Sequence, residues 1–418
     1  MTASNRTTSI LQLVFLSLML LAVTSGCAAN GKRGPNYPTA HPSVLPTQTN
    51  DPTVVPTGET TVASKLQMTT TLVAIQATSI AWKGPLLALY PEDLTIYDTS
   101  SNQLYALLED AKDINTILGW SVDGCQLAYR ADSSMYVINV GTYETRRLLT
   151  GYKVPSTHVL WSPDGKWIAY DAGSPQEIYV MQADGTNLTQ LTQDEYVDSI
   201  ERWAPDGHTI LYWSRRSEAW ELYTVDTSTR MTQKVISLPS KDFLPDLSSP
   251  DNLAAEVMPG PLSPNQQFAV VIPYKETQSG WFSQLYLINI STGVVMPVYD
   301  KWLGLQGIEW SPNGKSIAIG ANYFEDGTLP GVYLIDVASG NKQLLAANSA
   351  GNDVLGYPSW SPDGGKLAIL GSPSPWLYDF GMKRINKLIP DADLSTPVQW
   401  YSPMLWSPRQ DYDTKDCQ

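Results

Sequence analysis

Several residue types are scarce in this chain of 418 residues, and each scarcity excludes a class of protein. The three histidines form no HExxH motif and no EF-hand loop is present, so the sequence predicts no metal site and no cofactor. The three cysteines form no CxxC pair, which excludes a zinc ribbon or a thioredoxin-like motif. With 27 basic against 41 acidic residues the net charge is −14, and nucleic acid is excluded as a partner because phosphate binding needs a basic surface.

The chain also lacks the marks of a hydrolase. No Gly-x-Ser-x-Gly nucleophile elbow occurs. His41 lies in a polar segment, and His158 and His208 lie near separate turns, so no Ser-His-Asp triad is apparent. We therefore predict that the chain is not an enzyme. Cys125 and Cys417 form a disulfide in an oxidising compartment or stay as two thiols, and the sequence leaves both readings open.

The first 26 residues have the pattern of a signal peptide. Arg6 supplies a positive charge, and the apolar stretch from Ile10 to Val23 is too short to span a membrane comfortably. The segment ends Val23-Thr24-Ser25-Gly26-Cys27, which resembles the lipobox of bacterial lipoproteins, although Thr24 stands where Leu is usual. We expect an exported protein, periplasmic or at the cell surface, anchored to the membrane only by lipid on Cys27. An ordinary cleaved signal peptide is the alternative.

Residues 27–66 are rich in Pro, Thr, Ser, Gly and Asn and show no hydrophobic period. Such a segment buries too little apolar area to offset its ordering entropy, so we predict a disordered stalk. The folded part is then predicted over 67–410, followed by an acidic carboxyl-terminal tail over 411–418.

What is abundant in the chain is a repeated turn. An apolar strand ends in Trp, Ser-Pro-Asp-Gly follows, and a second strand ends in an Ala-aromatic pair, as in Trp161 to Tyr170. Pro presets one turn dihedral, and Asp-Gly or Asn-Gly supplies the positive φ that closes a hairpin. The motif residues of the copies are Trp120, Asp123 and Gly124; Trp161, Pro163, Asp164 and Gly165; Trp203, Pro205, Asp206 and Gly207; the degenerate Leu262 and Pro264; Trp310, Pro312, Asn313 and Gly314; Trp360, Pro362, Asp363 and Gly364; and the partial copy at Trp406.

Each hairpin is followed by two further strand-like runs, which makes four antiparallel strands per repeat. Repeats start at Trp82, Trp120, Trp161, Trp203, Leu262, Trp310 and Trp360, about 38 to 59 residues apart. Four-stranded units of this length are typical of propeller blades. We predict an all-β fold made of one β-propeller with seven blades, six or eight being the alternatives. The strand from Pro397 to Ser407 is expected to pair with the first blade, and residues 236–256 to form a surface insertion.

The repeat closely resembles the TolB-type β-propeller repeat, and residues 178–192 (IYVMQADGTNLTQLT) carry the resemblance well. The resemblance extends over roughly residues 75–408. Proteins with this repeat include periplasmic scaffolds, bacterial lipoproteins and the propeller domains of dipeptidyl and prolyl oligopeptidases. The resemblance implies an interaction module of the cell envelope and does not choose its partner.

The predicted function is a non-catalytic protein–protein interaction scaffold, monomeric, with an unidentified envelope protein as its partner. The alternatives are a module that binds glycans or small ligands and a hydrolase with its active site at the mouth of the channel. The motif tryptophans are expected in the core of the blades. A binding rim is predicted from five tryptophans outside the motif, namely Trp213, Trp220, Trp281, Trp302 and Trp376.

Overall fold

A computed structural model describes residues 72–74, 84–89, 94–108, 114–155, 157–216, 219–249, 251–348, 354–372, 374–388, 404–410 and 417. The predicted signal peptide, Cys27, the stalk and the repeat start at Trp82 lie outside these residues, as does the acidic tail except Cys417. In the described part the structure is almost entirely β, as predicted. The same part contains no helix that is long and apolar enough to cross a membrane.

The strands of the first half form four antiparallel sheets in which neighbours along the chain are usually neighbours in the sheet. In the first sheet a short strand, β1, runs parallel to β4. The strands are β1 (Leu72–Ala74), β2 (Leu86–Leu89), β3 (Leu94–Asp98), β4 (Gln103–Leu108); β5 (Ile114–Trp120), β6 (Gln126–Ala131), β7 (Ser134–Asn139), β8 (Thr145–Thr150); β9 (Leu160–Trp161), β10 (Trp167–Ala172), β11 (Glu177–Gln182), β12 (Thr189–Gln190); and β13 (Asp198–Trp203), β14 (Thr209–Arg216), β15 (Ala219–Asp226), β16 (Thr232–Ser237).

The second half continues the pattern after two short 3₁₀ helices, η1 (Lys241–Phe243) and η2 (Pro245–Ser248). Its strands are β17 (Ala254–Leu262), β18 (Phe268–Thr277), β19 (Gly280–Asn289), β20 (Val295–Trp310), β21 (Ser316–Phe324), β22 (Gly331–Asp336), β23 (Lys342–Ala347); β24 (Val354–Trp360), β25 (Lys366–Ser372), β26 (Trp376–Asp379), β27 (Arg384–Lys387); and β28 (Leu405–Trp406).

Strand β20 serves two four-stranded sets. Its first half pairs with β19 and its second half pairs with β21, so β17 to β23 form one continuous sheet. Four-stranded antiparallel sets therefore recur along the chain as predicted. The number of blades stays a prediction, because parts of the first and last repeats lie outside the described residues.

The motif turns that contain serine are held by the same local hydrogen bonds, whereas the turn after Trp203 has Ala204 in the serine position. The Ser162 hydroxyl donates to Asp164 Oδ1 over 2.6 Å and accepts a hydrogen bond from the Trp167 amide. The Asp164 carboxylate in turn accepts from the Lys166 amide. Gly165 closes the turn at φ +72, where a side chain would be strained. Equivalent Ser-to-Asp or Ser-to-Asn bonds recur at Ser121, Ser263, Ser311 and Ser361.

The motif tryptophans connect one sheet to the next. The Trp310 indole Nε1 donates to the carbonyl of Pro261, the residue just before the motif position of the preceding four-stranded set, over 3.0 Å. Trp203, Trp120 and Trp406 donate in the same way to Leu160, Leu405 and Ser359. These four rings are buried, so each of them fills an interface and satisfies its own N–H there. The equally buried Trp360 has no hydrogen-bond partner for its indole N–H among the described residues.

The sheets pack in a closed cycle. Apolar clusters lie between consecutive sheets, and one of them joins Ala368 and Leu370 of β25 to Leu87 and Leu89 of β2. The final strand β28 pairs with β2, as predicted, and so leaves the first sheet no free edge on that side. A disulfide joins Cys125 to Cys417 across a sequence separation of 292 and so settles the open alternative in favour of the bond.

The segment predicted as a surface insertion is partly packed. Residues 238–253 contain both 3₁₀ helices, Leu247 is buried, and the Phe243 ring meets Tyr286 edge-on at 5.4 Å. Lys275 on β18 forms an ion pair with Asp246. The insertion therefore covers one side of the sheet that starts with β17.

Candidate functional site

The strand order gives the ring two faces with different loops. The motif turns lie side by side on one face, as the contacts of a Cβ added at Gly207, Gly314 or Gly364 with the proline of the preceding turn show. We name this the turn face. The other, the loop face, carries the β10–β11, β14–β15, β18–β19 and β21–β22 loops and the connections that lead from one sheet to the next.

An acidic cluster lies on the loop face between the sheet of β9–β12 and the sheet of β13–β16. It comprises Glu177 at the start of β11, Asp194 in the connection after β12, and Asp198 at the start of β13. One carboxylate oxygen from each lies within 4.8 Å of the others. Three acidic groups from two sheets therefore converge on one point.

Two of these carboxylates, those of Glu177 and Asp194, are held by hydrogen bonds or an ion pair. Glu177 accepts hydrogen bonds from the Thr192 hydroxyl at 2.7 Å and from the Asp194 amide at 3.0 Å. Asp194 accepts from the Tyr196 amide at 2.9 Å and forms an ion pair with Arg216 at 2.8 Å. The Arg216 guanidinium also lies 4.6 Å from the centre of the Tyr223 ring. These bonds hold Glu177 and Asp194 in fixed orientations.

Asp198 is different, because it is fully buried and its carboxylate has no good partner. Its exposure is 0%, and neither oxygen accepts a hydrogen bond of good geometry. Burial raises the pKa of Asp198 to about 6, and the neighbouring hydroxyls of Ser214 and Thr192 offset that rise only in part. A buried carboxylate without a partner is costly, so it marks the point of this cluster at which a ligand would be stabilised.

A second buried carboxylate lies nearby. Asp171 at the end of β10 accepts a hydrogen bond from the Ile200 amide at 2.9 Å and a longer one from the Ser199 hydroxyl at 3.4 Å. Burial raises the pKa of Asp171, and the charge of His158 acts in the opposite direction. Asp171 thus accepts a hydrogen bond from a serine and lies within electrostatic reach of a histidine in the connection before β9.

An apolar ridge lies on the loop face of the next sheets along the chain. Trp281 is 39% exposed and stacks on Tyr274, and the adjacent Phe282 meets Tyr323 edge-on at 5.3 Å. The exposed Leu253 lies at the same end of the sheet, because its backbone amide donates to the carbonyl of Glu276, the residue paired with Trp281. We define the loop-face ridge as Leu253, Trp281, Phe282 and Tyr323.

The predicted rim of five tryptophans does not form. Trp213, Trp220 and Trp302 are buried, so the prediction that they form a binding rim is wrong for these three residues. Trp220 donates to Glu256 at 3.0 Å, and the Trp302 ring lies under Lys275 at 4.0 Å, so both rings pack inside the sheet interface. Trp376 is partly buried under Lys387. Of the five, only Trp281 contributes an exposed ring to the loop face.

Comparison with known proteins agrees with the fold. Residues 93–255 match the family model described as the TolB beta propeller domain (PD40). A solved structure described as a putative TolB from Agrobacterium tumefaciens is similar at a TM-score of 0.42 and 14% identity, covering 79% of this chain and 96% of that one.

Two curated relatives carry names of peptidases. An uncharacterized peptidase, YuxL, from Bacillus subtilis is 24% identical over 51% of this chain and 31% of the relative. Dipeptidyl-peptidase 5 from Porphyromonas gingivalis is 22% identical over 62% of this chain and 42% of the relative. The chain thus spans less than half the length of either relative. The prediction that the chain is not an enzyme is wrong, because these names point to a possible enzymatic function.

Proposed function

We propose that this chain, which carries a TolB-like β-propeller, is a binding module of the cell envelope that holds a protein partner on its loop face. The loop-face ridge is the observation that carries the proposal. Aromatic rings lose little conformational entropy on binding and dominate the energy of many protein interfaces.

The arrangement of exposed apolar residues supports the loop face as the binding surface. On the turn face, Met231, Val294 and Met382 are exposed, but each lies in a different strand connection of a different sheet. Single exposed apolar residues are ordinary on protein surfaces. The ridge differs because its residues gather at the loop-face ends of neighbouring strands: the Phe282 and Tyr323 rings meet, and Leu253 and Trp281 are exposed beside the same stretch of β18. Clustered exposed apolar residues mark interaction sites.

Affinity capture from native envelopes tests this proposal. We expect the wild-type chain, after crosslinking, to enrich an envelope protein that the double variant Trp281→Ser, Tyr323→Ser enriches at least ten-fold less. The matched control is Met231→Ser, Val294→Ser on the turn face, which should capture as the wild type does. Equal capture by the ridge variant, with its thermal unfolding unchanged, would contradict the proposal.

The envelope location rests on the amino-terminal sequence. Lipid on Cys27 would tether the module, and the polar segment 27–66 would hold it away from the bilayer. We expect the anchored chain to be a monomer. Metabolic labelling with a fatty acid tests the anchor: the wild type should incorporate label and Cys27→Ser should not, whereas labelling of both would place the lipid elsewhere.

Peptidase activity is a second candidate, favoured by the names of the two relatives. The buried Asp171, which lies within electrostatic reach of His158, is the described feature that suits it best. Dipeptidyl p-nitroanilides provide the assay. Turnover that His158→Ala abolishes and that His208→Ala, in an exposed motif turn, leaves intact would support a peptidase. Absence of turnover in the wild type would count against it.

A further inference from the structure

We propose that the acidic cluster of Glu177, Asp194 and Asp198 binds a calcium ion that joins the sheet of β9–β12 to the sheet of β13–β16. The sequence predicted no metal site at these positions. This inference concerns a different part of the loop face from the ridge and stands independently of the proposed function.

The first support is the buried, unpartnered carboxylate. An acidic cluster alone is common on protein surfaces, but Asp198 is fully buried and both its oxygens lack a hydrogen bond of good geometry. Its carboxylate lies within 4.8 Å of oxygens from Glu177 and Asp194. Buried charges are normally paired or coordinate metals. A cation at the centre of the cluster would supply the missing partner.

The second support is the balance of charge. Glu177, Asp194 and Asp198 bring three acidic groups together, and the ion pair found there among the described side chains is that of Arg216 with Asp194. One guanidinium against three carboxylates leaves a deficit of two positive charges when all three acids are ionised. A divalent cation matches that deficit.

The third support is the chemistry and spread of the ligands. Carboxylate oxygens without imidazole or thiolate favour hard cations such as Ca²⁺ or Mg²⁺ over zinc. The oxygens of this cluster lie within 4.8 Å of one another, so a single ion can reach all three. Calcium accepts several protein carboxylates in irregular geometry, whereas magnesium keeps several waters and is usually held by one or two carboxylates, so three converging carboxylates favour calcium.

The position of the site gives the ion a structural consequence. Glu177 belongs to β11, whereas Asp198 starts β13 of the next sheet, and Asp194 lies in the connection between them. An ion held by all three would fix this connection and the loop face beside it. Because a ligand that binds only the folded state stabilises it, calcium should raise the thermal unfolding midpoint.

The experiment uses the full chain, purified in detergent and stripped with a chelator, and measures Ca²⁺ binding by calorimetry and unfolding by differential scanning. We expect one Ca²⁺ per chain and a higher unfolding midpoint. Asp198→Asn should weaken binding at least ten-fold, and Mg²⁺ should bind more weakly than Ca²⁺. The matched control, Asp251→Asn in an exposed part of the loop face, should bind Ca²⁺ as the wild type does.

The stability of Asp198→Asn without calcium gives a sharper signature. Removal of an unpartnered buried charge should leave this variant at least as stable as the wild type in chelator, and the order should reverse when Ca²⁺ is added. No binding to the wild type at millimolar Ca²⁺, or wild-type affinity in Asp198→Asn, would overturn the proposal. If Asp198→Asn does not fold, Glu177→Gln is measured instead with the same expected loss.

Discussion

At the scale of single residues, one backbone dihedral decides how well each motif turn closes. Four clean copies place Gly165, Gly207, Gly314 and Gly364 at φ between +68 and +74. The degenerate copy has Gln266 in that position at φ +58. It keeps the two hydrogen bonds of the motif, because the Ser263 hydroxyl donates to Asn265 Oδ1 and accepts from the Phe268 amide. A side chain with a Cβ is strained in this left-handed region, so Gln266 is a local weakness.

We therefore predict that Gln266→Gly stabilises the protein. Relief of the left-handed strain should exceed the entropy cost of glycine and raise the free energy of unfolding by about 0.5–1 kcal/mol. The reciprocal change in a clean copy, Gly314→Gln, should lower it by about 1 kcal/mol. Denaturant titration measures both. A loss of stability in Gln266→Gly would show that its side chain contributes contacts that outweigh the strain.

The turns could be predicted from the sequence because their determinants are local. Ser162, Asp164 and Gly165 lie within four residues, and their bonds follow from residue type alone.

The acidic cluster of Glu177, Asp194 and Asp198 could not be predicted from the sequence. Glu177 and Asp198 are brought together only by the packing of two sheets, and nothing in the sequence distinguishes Asp198 from the many exposed acids around it.

At the scale of strands, contacts between sheets depend on a few polar residues as well as the motif tryptophans. Glu309 on β20 accepts a hydrogen bond from the Trp360 amide at the end of β24 over 2.8 Å. Although the residue reaches the surface in part, its carboxyl group is surrounded by protein, and this desolvation raises the pKa of Glu309 to about 8. The folded protein therefore holds a proton on Glu309 at neutral pH.

The raised pKa of Glu309 predicts how stability changes with pH. In the unfolded chain this carboxyl ionises near its ordinary pKa of 4.5, so between about pH 4.5 and 8 the folded state binds more protons. The contribution of Glu309 to stability is thus fully present below pH 4.5 and is lost as the pH rises through about 8. The loss should be on the order of 5 kcal/mol, because each pKa unit corresponds to about 1.4 kcal/mol.

Glu309→Gln is the test, because glutamine still accepts from the Trp360 amide and does not titrate. We expect the decline of the free energy of unfolding between pH 5 and pH 8 to become shallower in this variant. The exposed Glu195→Gln should keep the wild-type slope. Parallel pH profiles for wild type and Glu309→Gln would contradict the assignment.

The buried tryptophans show why strand orientation was harder to predict than strand position. Sheets in this molecule pack against neighbours on both faces, so their strands lack the alternation of apolar and polar residues that marks an exposed face. Trp213 and Trp281 are both aromatic residues near a strand end on the loop face. Only their packing makes one buried and the other exposed.

At the scale of the whole molecule, the first two described sheets are joined to the carboxyl-terminal segment in three ways. Strand β28 pairs with β2, the Trp120 indole donates to the Leu405 carbonyl, and Cys125 is bonded to Cys417. The sequence predicted the closing strand from its partial motif. It could not decide the disulfide, because only the folded ring brings residues separated by 292 positions together.

Loss of the disulfide should weaken the ring without changing its fold. A crosslink that closes so long a loop restricts the unfolded chain, and its removal typically costs about 2–5 kcal/mol. We expect Cys125→Ser, Cys417→Ser to unfold at a clearly lower temperature, and the wild type to shift likewise under reductant. Cys27→Ser serves as the control and should unfold as the wild type does. An unchanged midpoint in the double variant would mean that strand pairing alone closes the ring.

The proposed binding of a protein partner to the loop face is tested most directly by site-specific photo-crosslinking in living cells. A photoreactive phenylalanine is placed at Trp281 and, as the matched position on the turn face, at Met231. We expect a defined crosslinked species from position 281 and none from position 231. Crosslinks from position 231 alone, or from neither position, would contradict it.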